Sequence, residues 1–119
     1  MRKIYFIVCL MTTYIAYSAW VYTGGTGSVV KMESAAQNGK RIWQRSNCQN
    51  CHQLFGLGGY MGPDLTSVTT DKRRGANYAR AIILSGGNNM PNYHFTASEA
   101  DDIIAYLDHV NKAATANIR

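Results

Sequence analysis

The sequence predicts an all-α chain: one apolar helix long enough to cross a membrane, followed by a single small helical domain. Three observations predict this. Residues 4–22 are mostly apolar, and no charged residue lies between Lys3 and Lys31. Beyond them, two capping-box patterns precede apolar residues spaced at threes and fours. No run alternates apolar and polar residues as a half-buried strand would.

The chain has 119 residues, and its first thirty do not read as globular, so the folded part holds about ninety. That is a thin supply of core for independent stability. The formal charge is +5, but Arg2 and Lys3 precede the apolar run, and the ten basic and seven acidic residues beyond them balance at +3. No basic stripe interleaved with aromatics is present, so a nucleic-acid partner is not expected.

Residues 1–23 are expected to form a retained single-pass anchor, since nineteen mostly apolar residues approach the ~20 that a spanning helix needs. Arg2 and Lys3 place the N-terminus in the cytoplasm and the rest across the inner membrane, on the periplasmic side. Trp20 and Tyr22 fall where an interfacial aromatic belt belongs. The rival is a signal peptide cut near Ala16-Tyr17-Ser18, but the apolar run is longer than a typical signal core. Thr13 with Tyr17, and Tyr14 with Ser18, form a hydroxyl-bearing stripe of the kind that faces another helix. Residues 24–32, rich in glycine, are expected to be a flexible linker, and residues 33–119 the folded domain.

Within that domain, Ser34-Ala35-Ala36-Gln37 predicts the start of a helix that puts Ala36, Gly39, Ile42 and Trp43 on one side and delivers Cys48 and Cys51 at its far end. The glycine-rich stretch 54–65 predicts no regular element. A short helix is expected near 77–84, stopped by Ser85-Gly86-Gly87. A last helix opens at Thr96-Ala97-Ser98-Glu99 and buries Ala100, Ile103, Ile104, Leu107 and Val110.

Cys48-Gln49-Asn50-Cys51-His52 is the attachment signature of a c-type haem. Two thiols three positions apart can reach the vinyl groups of neighbouring pyrroles, and His52 then sits beneath the iron as an axial ligand. Zinc fails on counting, because the one remaining cysteine, Cys9, lies in the apolar run. A thioredoxin-like pair would need a βαβ context that is missing. One covalent haem c would also supply much of the interior that ninety residues lack.

The second axial position decides the chemistry. Met90, in Met90-Pro91-Asn92-Tyr93 before the last helix, is the preferred ligand, giving a closed low-spin site of raised potential. The alternatives are His94 and an open site; Met61 is expected on the His52 side. Pro63 is the candidate to present a carbonyl to the second ring nitrogen of His52. Trp43, Tyr60, Arg73, Arg74, Arg80 and Tyr93 are candidates to contact the haem and its propionates.

The set of motifs resembles class I, mono-haem, cytochromes c over about residues 33–112: CxxCH after the first domain helix, a Gly-Pro-Asp-Leu turn, and a Met-Pro loop before an amphipathic last helix. In that family the first and last helices cross at a glycine and an aromatic, which Gly39 and Tyr106 match. A narrower resemblance, from Gly39 to Leu65, is to the membrane-anchored cytochrome c subunit of bacterial nitric oxide reductase. It implies a subunit with no active site of its own. Such a subunit takes single electrons from a soluble donor, a cytochrome c or cupredoxin, and passes them to a membrane-embedded catalytic subunit holding haem b. The alternatives are a free-standing tethered carrier and, with an open sixth site, a gas sensor or small peroxidase.

Overall fold

The computed structural model describes residues 2–23, 31–87 and 89–116. The expected linker lies outside the described residues except for Lys31 and Met32. The first helix, α1, runs Arg2–Thr23, and none of its residues is buried. Its 22 residues measure about 33 Å, long and apolar enough to cross a bilayer. Among the hydroxyl-bearing residues, the Thr13 hydroxyl donates to the Cys9 carbonyl of its own helix at 2.8 Å, as threonines in apolar helices do.

Helix α2 spans Ser34–Arg45 and buries Ala36, Gly39, Ile42 and Trp43. The capping box expected at Ser34 does not form. Glu33 is the N-cap, without a side-chain cap bond, and the Gln37 side chain donates instead to the Met32 carbonyl at 3.2 Å. The helix also ends before the cysteines. Ser46 closes it, Asn47 takes a left-handed conformation (φ 51°), and Cys48–Asn50 form a separate 3₁₀ turn. The break puts the two thiols on and just after a turn of their own rather than on the helix, which the helical spacing alone does not reveal.

The glycine-rich stretch is not wholly irregular. Gln53–Leu54 (β1) pair antiparallel with Leu57–Gly58 (β2), so a miniature hairpin interrupts the otherwise helical domain. Phe55 and Gly56 both have positive φ, 55° and 74°, the requirement of a two-residue type I′ turn. Strands of two residues are too short to display alternation.

After a 3₁₀ turn at Val68–Thr70, helix α3 covers Gly75–Ser85 and stops at Gly86, whose φ of 78° suits glycine. Helix α4 spans Ala97–Ala116 and buries Ala100, Ile103, Leu107, Val110 and Asn111; Ile104 is half-buried. Its capping box is reciprocal. The Thr96 N–H donates to Glu99 Oε2 at 2.9 Å, and the Glu99 N–H donates to Thr96 Oγ1 at 3.2 Å.

Helices α2 and α4 form the main contact of the domain, closed by Ile42, Trp43, Ile83, Ala100, Ile103 and Leu107. Gly39 sits where the backbones meet. A Cβ there would come within 2.9 Å of Tyr106 Cβ and collide with the Asp102 carbonyl, so only glycine allows this approach.

Candidate cofactor site

One side of the α2–α4 core is hollow. A cavity of about 650 Å³ is walled by Leu65, Val68, Ile82, Ile83, Phe95 and Leu107. Its size falls within the ~300–1,000 Å³ common for small-molecule and cofactor sites. Cys48, Cys51 and His52 line it together, and Met90 lines the same space. The two cysteines form no disulfide. Burial pushes the Cys48 thiol above its ordinary value, and the nearby Cys51 adds to the rise against a bond from its own backbone.

The His52 ring is held on two sides. Its Nδ1 lies 3.0 Å from the Pro63 carbonyl oxygen, to which it donates when the other ring nitrogen ligates a metal. Gly62 packs directly on the ring; a Cβ at this position would stand 2.5 Å from His52 Nδ1. The loop is drawn over the attachment turn by backbone bonds: the Gly59 N–H donates to the Gln49 carbonyl at 2.8 Å, and the Gly62 N–H to the Cys51 carbonyl at 2.7 Å. The composition of the glycine-rich stretch therefore has a use: side chains at 59 and 62 would strike Asn50 and His52. Gly62→Ala is expected to tilt the imidazole, raise the high-spin fraction in the oxidised absorption spectrum and cost about 1–3 kcal/mol by overpacking. A spectrum and melting temperature like the parent's would show that the ring does not need this glycine.

Asp64 ties the loop together. Its Oδ1 accepts from the Thr66 N–H at 2.7 Å and its Oδ2 from the Gly56 N–H at 3.1 Å. The bonds from Thr66, then that from Gly56, hold its carboxyl below the usual carboxylate range. A lowered folded-state value means that the contribution is complete above the unfolded value of about 3.9 and fades as pH falls through the folded one. Asp64→Asn should therefore shorten the acid limb of the stability–pH curve below about pH 4, leaving the neutral side nearly level. The carboxylate is exposed, so the effect is small and screened; acid unfolding curves of equal slope for parent and variant would refute it.

Among the other sequence candidates, Trp43 lines the cavity, with its ring centroid 6.3 Å from that of His52 and 6.1 Å from that of Tyr106. Pro63, Arg74 and Tyr93 also line it, and Tyr93 stacks on Phe95 at 5.5 Å. Tyr60 does not; it is 86% exposed on the loop that follows the hairpin. Arg73 is outside the lining, and Arg80 is taken by Asp101, Nε to Oδ1 at 2.5 Å. His94 is exposed and away from the cavity, with its backbone N–H on Asn92 Oδ1. Met90 is half-buried, its backbone fixed by a turn in which the Gly87 N–H donates to the Met90 carbonyl at 2.9 Å. Tyr78 lines the cavity too, although no sequence motif singles it out. A signal was there in the spacing: Arg74, Tyr78 and Ile82 recur every four residues from the N-cap of α3 along the helix, and all three line the cavity.

The residues fit a covalently held haem: Cys48 and Cys51 would form the thioethers, His52 and Met90, which line the same cavity, would ligate, and Arg74 and Tyr78, also on the lining, would meet anionic groups. When bound, the haem supplies a one-electron ferric/ferrous couple. The chain orients the imidazole through Pro63 and Gly62 and keeps water from the interior with the aliphatic wall.

A helical domain folded around such a cavity, with CxxCH on its lining, defines the class of mono-haem cytochromes c. Residues 34–107 match the family described as cytochrome c oxidase, cbb3-type, subunit III, and the chain belongs to this cytochrome c family. Covalent haem c is accordingly its cofactor, and transfer of electrons its work. The chain is 26% identical over 117 residues to the C subunit of nitric oxide reductase from Halomonas halodenitrificans, covering 87% of this chain and 77% of that one. It is 29% identical over 96 residues to the corresponding nitric oxide reductase protein from Stutzerimonas stutzeri, covering 71% and 64%. A third similarity, 27% over 79 residues and 64% of this chain, is to cytochrome c-555 of Methylococcus capsulatus, of which 63% is covered. The chain thus spans between about three fifths and three quarters of the length of these relatives.

Proposed function

We propose that the chain is the electron-entry haem c subunit of a membrane nitric oxide reductase, anchored by α1 with its N-terminus in the cytoplasm and its haem domain in the periplasm. The observation that carries this reading is the extent of the likeness to the C subunit of nitric oxide reductase, which takes in 87% of the chain. One electron at a time arrives from a soluble cytochrome c or cupredoxin and leaves for a catalytic subunit holding haem b in the membrane. Cys48 and Cys51 hold the haem, His52 and Met90 close its two axial positions, and the subunit itself has no site for substrate. The shared cavity lining of His52 and Met90 supports a closed iron rather than the open one that a gas sensor or peroxidase needs.

The likeness to cytochrome c-555 favours a second reading, a tethered carrier without a permanent partner. Purification of the full chain from native membranes in mild detergent separates the two. Retention of a polytopic haem b protein, with reoxidation of the reduced c haem by nitric oxide, is the expected result. A monodisperse small cytochrome that carries electrons unaided would replace the first reading with the second.

A further inference from the structure

The hairpin loop beside the haem attachment turn carries large apolar side chains into solvent: Phe55 is 55% exposed, Leu57 78%, Tyr60 86% and Met61 72%. Four large apolar side chains exposed on one short loop are the kind of surface that marks interaction sites on soluble domains. The patch is continuous with the haem cavity, because Met61 also lines that cavity. The loop's own residues carry no charge, although the exposed Asp64 carboxylate is bonded to the Gly56 N–H of its turn. Between Arg45 and Asp64 the chain has no acidic or basic residue apart from His52, and between Arg80 and Glu99, the segment bearing Met90 and Tyr93, none apart from His94.

We propose that the loop Phe55–Met61 is the face on which the domain docks permanently against the extramembrane surface of its membrane-embedded partner. This rests on the functional reading above and names the surface through which that reading would work. A soluble donor that binds and leaves is steered by clustered charge, which the residues of this loop do not supply, whereas permanent interfaces are apolar at their centres. A lipid surface is the poorer occupant, because interfacial apolar segments are held by flanking lysines and arginines that are missing here. A second copy would close the cavity mouth of both molecules and bar electron exchange. The tether fits a partner fixed in the bilayer. Ten residues separate Thr23 from Ser34, and ten residues reach at most about 36 Å, so a domain roughly 30 Å across stays beside the membrane.

The test uses the full chain in its native membranes, with a photoreactive phenylalanine in place of Leu57 and, as control, in place of the exposed Lys112 on α4. The expected result is an adduct from position 57, and none from 112, to a polytopic protein that binds haem b. In parallel, Leu57→Ser combined with Tyr60→Ser should lower retention of that protein at least tenfold while the haem c spectrum stays the same. Adducts to lipid or to a second copy alone, or no adduct while the haem b protein is retained, would overturn the docking assignment and leave the functional reading standing. Absence of any haem b partner from the unsubstituted chain would remove the functional reading and this assignment with it.

Discussion

Met90→Ala is expected to leave the haem attached and open its sixth position. The thioethers at Cys48 and Cys51 do not depend on the methionine, so covalent haem should survive denaturation as in the parent. The oxidised protein should lose the methionine–iron charge-transfer band and gain high-spin character, and the reduced protein should bind carbon monoxide rapidly. The reduction potential should fall by on the order of 0.2 V, part of the ~0.8 V range that axial ligation commands. The cavity position of Met90, and the turn that pins its carbonyl to the Gly87 N–H, motivate the prediction. An unchanged spectrum and potential would remove Met90 from the iron. His94, exposed and away from the cavity, is not positioned to replace it.

Gly39→Val should do the largest damage to the fold. Its first side-chain atom would collide with the backbone of Asp102, which cannot swing aside as a side-chain tip can. Separating α2 from α4 uncovers Trp43, Ala100, Ile103 and Leu107 together. The expected loss is about 3 kcal/mol or more, the upper range for overpacking. For a domain of this size that lowers the melting temperature by roughly 12–24 °C. Thermal unfolding followed through the haem absorbance measures it directly. A melting temperature within a few degrees of the parent's would show that the helix crossing yields more easily than its geometry implies. Because the same crossing forms one wall of the cavity, holoprotein yield should fall as well.

The readings that needed only local patterning were legible from the residues. The buried faces of α2 and α4, the capping box at Thr96, the glycine stop after Ser85 and the apolar length of α1 each follow from spacing within one element. The attachment signature is legible for the same reason: its chemistry is set by five consecutive residues. Where elements compete, the sequence was ambiguous. Ser34 and Gln37 make an acceptable capping box, and the helix does begin at Ser34, yet Glu33 is its N-cap and the Gln37 side chain bonds the Met32 carbonyl instead. Tyr60 reads as a haem contact beside its neighbours Met61 and Pro63, yet it lies in solvent on the loop after the hairpin, off the cavity lining.

By itself the sequence determined an apolar helix long enough to cross a membrane and a helical domain built around a CxxCH turn, because attachment chemistry, helix period and bilayer thickness all act on residues near one another in the chain. Only the tertiary structure decided which distant groups share the cavity: Met90 with His52, Tyr78 and Arg74 at its edge, Gly62 against the imidazole, and Tyr60 outside it. Those meetings depend on how closely α2 and α4 approach and how the glycine loop folds back on the attachment turn. Packing of this kind is set by contacts between residues far apart in sequence, which no local pattern encodes.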